Sequence, residues 1–430
     1  MFKIKLTKYS KLFLTTGLAL VLAACSSSDG TSITPVNPGS APAAPENVQV
    51  VAGDSDADDV QNTISWTLDP AATSYTVYWD NVPGVTVNSS VVVPTAAGTR
   101  SVVHSGVDVL AGNNYYYKVR ASSADGDSAL SNELAATPQA AVTSSQLNDV
   151  AWNGVDTLVA VGDSGAIQSS PNGTADAWVD RSVATVPESL TAVTWDNVNS
   201  QFMIVGAGST VLTGDGINWV EEDLSNIAGA RNLQGVAWLG NRYIAVGNNG
   251  TVLTSNVDGS AWTLQDAGAN VGNTAFNAVA TNNAIIVIIG GNGTIINSVD
   301  AVTWAEQAKP LNNDLNDITW DGNQFIIVGS NDTILTSPDG LTWTSHVPGT
   351  SNINFVAVTQ WDSGLPPAPV LGTAGSSGTF VVNPASDPGS IIPTGTTRQL
   401  TGMTWVDDGV ASPYFVMVGS DGTVLTSQYE

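Results

Sequence analysis

The chain has 430 residues, with 12 Lys+Arg against 38 Asp+Glu and a formal charge of −26. A surface this acidic repels nucleic acid and anionic lipid, so electrostatic binding to either is excluded. One cysteine excludes an intramolecular disulfide, and two histidines, His104 and His346, exclude a His/Cys zinc cluster.

The N-terminus reads as a targeting segment. Lys3, Lys5, Lys8 and Lys11 precede an apolar run from Leu12 to Leu22 that is too short to span a bilayer. The run ends in Leu22-Ala23-Ala24-Cys25. That ending resembles a bacterial lipobox. The resemblance implies a signal peptide over 1–24, lipidation at Cys25 and a membrane contact through the lipid. With Ser26 rather than Asp after the cysteine, it implies a bacterial outer-membrane lipoprotein, exposed to the periplasm or the cell surface.

Residues 25–43 are rich in Ser, Pro and Gly and read as a flexible linker. Residues 44–138 read as a separate β domain. Asn62–Trp66 has strand composition, and Ala72–Trp79 alternates with Tyr75, Val77 and Trp79 on one face. With LAGNNYYYKVRA (110–121) and SALSNELAATP (128–138), the segment resembles a fibronectin type III domain, which implies a two-sheet sandwich acting as spacer or adhesive module. Asp54, Asp56, Asp58 and Asp59 invite a calcium reading. However, Asp59 stands where an EF-hand loop needs Gly and Ser65 where it needs Glu, so a solvated loop is expected.

Residues 139–430 repeat. Leu147, Leu190, Leu233, Phe276, Leu315, Phe355 and Leu400 open copies of one pattern at a period of about forty residues, all strand and turn. The pattern predicts a seven-bladed β-propeller, so the expected class is all-β, a sandwich followed by a propeller. Asn249-Gly250, Asn292-Gly293 and Asp421-Gly422 are hairpin turns needing positive φ. The last copy stops at Glu430, before the Trp that starts the outer strand elsewhere. Residues 139–145 (QAAVTSS) are expected to pair near Val424–Ser427 and close the ring.

A turn motif recurs as Thr213-Gly-Asp215-Gly-Ile-Asn-Trp219, Ser298-Val-Asp300-Ala-Val-Thr-Trp304 and Ser337-Pro-Asp339-Gly-Leu-Thr-Trp343, with a longer form at Asp258. It resembles the Asp-box, or BNR, repeat of sialidases, sortilin-type receptors and photosystem II assembly-factor propellers. Each carboxylate is expected to accept N–H groups of its own turn, a structural role. The resemblance places these turns away from the usual ligand face. Arg181, Arg231, Arg242 and Arg398 are the only arginines of the repeat region and no FRIP-like run is present, so sialidase activity is not expected.

Asp149 and Asp317 occupy one inner-strand position that is otherwise Ala or Gly (192, 235, 278, 357 and 402). They line the expected channel, either bonded to neighbouring backbone or holding a cation such as calcium. No other cofactor motif is present. Trp361, beside Gly364–Pro369, and Arg231 are candidate ligand contacts. The loop acids Glu221, Glu222, Asp223, Asp266, Glu306 and Asp314 are the carboxylates available to a glycosidase. The reading is a lipid-anchored envelope binding or adhesion protein that presents a propeller to a protein or polysaccharide. The alternatives are a glycoside hydrolase or lyase and an envelope assembly factor.

Overall fold

The computed structural model describes residues 40–428, except 55–59, 97, 107–108, 111–112, 139–141, 174–176, 225, 228, 269–270, 347–352, 362–369, 383–389, 393, 395 and 408–412. The expectations at Cys25, in the linker before residue 40, at Asp56, Asp58 and Asp59, and in the loop 364–369 lie outside the described residues.

Among the described residues every regular element is a strand or a single 3-10 turn. Residues 147–392 form six four-stranded antiparallel sheets in chain order. A further sheet begins with Leu400–Val406, Tyr414–Gly419 and Val424–Gln428. The first strands of these seven sheets touch one another in chain order, and Leu400–Val406 touches Leu147–Trp152. The sheets therefore stand in a closed ring around their first strands.

The local chemistry of each sheet explains the repeat. The second strand ends in a small or branched apolar residue followed by Gly, Val-Gly in five sheets, Ile-Gly in one and Ala-Gly in one, because the next turn folds back on the segment before the first strand. A Cβ on Gly247 would lie 2.1 Å from the Asn232 carbonyl oxygen, and one on Gly162 2.0 Å from that of Gln146. The turn that follows needs positive φ, supplied by Asn249 (57°) with Gly250 (65°) and by Asn292 (53°) with Gly293 (68°). Second strands are buried on both faces, as in Tyr243–Gly247 and Phe325–Gly329, and so read as continuous apolar runs. The tryptophan ending the first strand packs on the aromatic that opens the second. Ring centroids are 4.7 Å apart for Trp195–Phe202 and 4.6 Å for Trp238–Tyr243.

Residues 48–136 form a two-sheet module over Ile64, Trp66, Tyr75, Val77, Tyr117 and Val119. One sheet holds Ser90–Ala96, Ser74–Asp80, Tyr115–Ser123, Gly126–Asp127 and Leu134–Ala136. The other is not a separate sheet. Its strands Gln49–Asp54, Val60–Ser65 and Ser101–Ser105 continue the last sheet of the ring, in the order Leu400–Val406, Tyr414–Gly419, Val424–Gln428, Gln49–Asp54, Val60–Ser65, Ser101–Ser105.

This corrects the expectation for residues 139–145. Val142 donates one backbone hydrogen bond to the Gly422 carbonyl, 3.1 Å long, but among the described residues the segment makes no ladder with 423–427. The partner is Gln49–Asp54, with Val50 opposite Gln428, Val51 opposite Ser427 and Ala52 opposite Thr426. The physical reason lies in the strand's two faces. Val48, Val50 and Ala52 enter the core of the two-sheet module, whereas Val51 enters a core with Leu400, Met403, Phe415, Met417 and Leu425. A strand apolar on both faces can serve two cores, and the weak QAAVTSS segment cannot compete with it.

Candidate functional site

The first strand of each ring sheet carries a bulge after its first residue. The register shifts, for example, between Leu233 and Gly235 and between Leu315 and Asp317. Bulges re-aim side chains, and here the bulged residue is Asn148, Thr191, Gln234, Asn277, Asn316, Val356 or Thr401. All seven line a central cavity of about 620 Å³, with Asp149, Asp163, Asp317, Asn354 and Gln399 among its other polar walls.

Five of the seven bulged side chains reach sideways to the opening carbonyl of the next sheet. Asn148 Nδ2 donates to Leu190 O at 2.8 Å, Thr191 Oγ1 to Leu233 O at 2.7 Å, and Asn277 Nδ2 to Leu315 O at 2.7 Å. Asn316 Nδ2 donates to Phe355 O at 2.7 Å, and Thr401 Oγ1 to Leu147 O. Sequence reasoning missed this set. Its signal was a column of Asn and Thr, polar residues able to donate, next to the column that holds Asp149 and Asp317. Gln234 and Gln399 make no side-chain hydrogen bond among the described residues and present free amides to the cavity.

Asp149 and Asp317 make matching contacts. Asp149 Oδ1 accepts from Val150 N at 2.8 Å and Oδ2 from Val193 N at 2.9 Å, in the next sheet. Asp317 Oδ1 accepts from Ile318 N at 2.8 Å and Oδ2 from Val358 N at 2.8 Å. Both side chains are half-buried and line the cavity. Their surroundings are mostly protein, and desolvation pushes each carboxyl up to about 7, against the N–H groups that favour the charged form. The charge of Asp149 adds to the rise at Asp317. All four carboxylate oxygens thus have backbone donors, and among the described residues no group of three or more His, Cys, Asp or Glu could hold a metal.

The other predicted residues lie apart from these two. Arg231 sits in the loop before Leu233, where its guanidinium donates to Thr251 Oγ1 at 3.2 Å and its backbone pairs with Ser209. It borders a surface recess of about 390 Å³ that also holds Asp266. Arg398 repeats the tie to Thr423 Oγ1 at 3.1 Å. Trp361 ends its strand opposite Val370; its side chain lies outside the described residues. Glu221, Glu222 and Asp223 border a second recess of about 550 Å³, and Glu222 accepts from Thr213 Oγ1 at 2.7 Å.

The Asp-box carboxylates face their own turns. Asp215 Oδ1 accepts from the N–H groups of Ile217 (2.8 Å) and Asn218 (2.7 Å), and Asp339 Oδ1 from those of Leu341 and Thr342, both 2.9 Å. Asp300 accepts from Val302 N, Thr303 N and Ser298 Oγ, which hold it down at about 2. Asp258, in the longer turn, accepts from Ser260 N and Oγ.

No family model matches the chain, and no curated protein matches it. Solved structures do. "YCF48 bound to D1 peptide" superposes with a TM-score of 0.53 at 13% identity, covering 67% of this chain and 93% of that one. YCF48 from Cyanidioschyzon merolae gives a TM-score of 0.52 at 15% identity, covering 66% and 95%. The chain has a propeller-like all-β fold.

Proposed function

We propose that this chain is a seven-bladed propeller joined to a fibronectin type III-like module, held to a bacterial membrane through lipid on Cys25. We propose further that it is a binding protein, taking an extended segment of another protein at the mouth of its central cavity. The observation that carries this is the cavity itself. Polar side chains project into it from every sheet but the one opening at Phe355, its Asn and Thr side chains at the bulges are tied into the ring, and Gln234 and Gln399 are left free to bond an incoming backbone. A rigid frame with a few free amides suits recognition of peptide groups. YCF48, of similar fold, is solved bound to a peptide, which favours the same use here. Asp149 and Asp317 are each held by two backbone N–H groups, and Asp163 by the side-chain amide of Asn148, so the carboxylates are built into the frame.

The test is fluorescence anisotropy with a labelled library of short peptides, in parallel with a glycan array. Gln234→Trp fills the cavity mouth and is expected to abolish peptide binding at an unchanged melting temperature. Binding that survives the substitution, or that appears only on glycans, would overturn the reading.

A further inference from the structure

The Asp-box turns and the turns between first and second strands share the end of the ring opposite the cavity mouth. They interlock between sheets. Asn199 Nδ2 donates to Val257 O at 2.9 Å, and Gln201 Nε2 to Asp258 O at 3.0 Å. A Cβ on Gly216 would lie 2.8 Å from the methyl of Thr157, and one on Gly340 3.3 Å from Ile285. Each Asp-box turn thus rests on the first turn of the sheet before it.

The tips of this interlocked ring are apolar and bare. Val155, Val198, Ile217 and Val257 are 68%, 62%, 56% and 53% exposed, on three consecutive sheets. Val302 and Leu341 continue the series at 56% and 51%. The placement is regular. Ile217, Val302 and Leu341 each stand two residues after the Asp-box carboxylate, and each donates its backbone N–H to it. The turn fixes the backbone, so the side chain is held out toward solvent rather than left to fold back. Isolated exposed valines need no explanation, but the same rigid position filled three times by Ile, Val and Leu does.

Charge says what covers them. The tips alternate with Asp156, Asp215, Asp258, Asp300 and Asp339, while Arg242 is the one base on these turns among the described residues. An anionic membrane is repelled by such a rim, and so is a second copy of this face. We infer that the Asp-box face is a second docking surface, which takes a basic amphipathic segment of a partner protein: apolar side chains settle among the tips and Lys or Arg pair with the surrounding carboxylates. This surface is independent of the cavity and of the ligand proposed for it.

The probe is a designed amphipathic helix of Leu and Lys, titrated into the full chain. A Leu/Glu helix of the same pattern and a Lys/Ser peptide of the same charge serve as controls. Vesicles of zwitterionic and of anionic lipid form a further arm. The Leu/Lys helix is expected to bind, and the triple variant I217S/V302S/L341S to weaken it about tenfold or more with unchanged circular dichroism and melting temperature. Gln234→Trp should leave it unaffected. Three results would each overturn the proposal: equal binding of the Lys/Ser peptide, Leu/Lys binding unchanged in the triple variant, or vesicle binding in place of peptide binding.

Discussion

Val50 and Val51 are neighbours on one strand that point into two cores, and they make the coupling between the sandwich-like module and the ring measurable. Each is 1% exposed. Cutting either to Ala removes two buried methyl groups and leaves a small cavity, a loss of about 2 kcal/mol. In one cooperative unit of this size that is roughly 2–3 °C in melting temperature. Were the module an independent spacer, Val50→Ala would lower the transition of the module alone and Val51→Ala that of the ring alone. Because the strand pairs with Val60–Ser65 on one side and Val424–Gln428 on the other, both variants are expected to lower a single shared transition by similar amounts. Differential scanning calorimetry reads this directly. Two resolved transitions, with Val50→Ala moving only one, would refute the claim that the ring closes through the module.

Stability should fall as pH rises from about 4 to about 7. Asp149 and Asp317 are raised in the fold, so their protonated form is favoured there; their contribution is full below the unfolded carboxylate range and is lost as pH climbs through about 7. Asp149→Asn with Asp317→Asn should flatten that slope in melting temperature against pH; an unchanged slope would place its origin elsewhere. Asp339→Ala leaves two turn N–H groups without their carboxylate and should cost about 1 kcal/mol in urea unfolding, with peptide binding retained in the folded fraction. Cys25→Ala should release the protein from the membrane fraction or leave it unprocessed, read by detergent partitioning.

Much of the ring was legible because its information is local. Val-Gly strand ends, Asn-Gly turns and Asp-box spacing all lie within a single turn or hairpin of what they specify, and the repeat shows each of them several times over. The Asp-box carboxylates accept N–H groups only two and three residues away. Closure was not legible from proximity, since Val50 and Gln428 lie at opposite ends of the described chain. A signal was nonetheless present: Val48, Val50, Val51 and Ala52 leave little of the alternation expected of a strand with one solvated face. The lateral bonds of Asn148 and its counterparts were hidden for another reason. A column of polar residues shows that they share a position, but which carbonyl they meet depends on how neighbouring sheets abut.

Those lateral bonds are not uniform around the circle. They join the sheets opening at Leu400, Leu147, Leu190 and Leu233 into one arc, and those opening at Phe276, Leu315 and Phe355 into another. The junctions between the arcs fall at Gln234, which makes no such bond among the described residues, and at Val356, which has no side-chain donor. The ring is therefore stapled as two jaws meeting along two seams, and opening along these seams needs no lateral side-chain bond at the bulged positions to break. What holds the two seams at this level is apolar packing, Val246 and Val252 against Phe276 on one and Phe380 against Phe415 on the other, so amide exchange along Leu233–Trp238 and Phe355–Trp361 reads how well packing substitutes for the missing bonds.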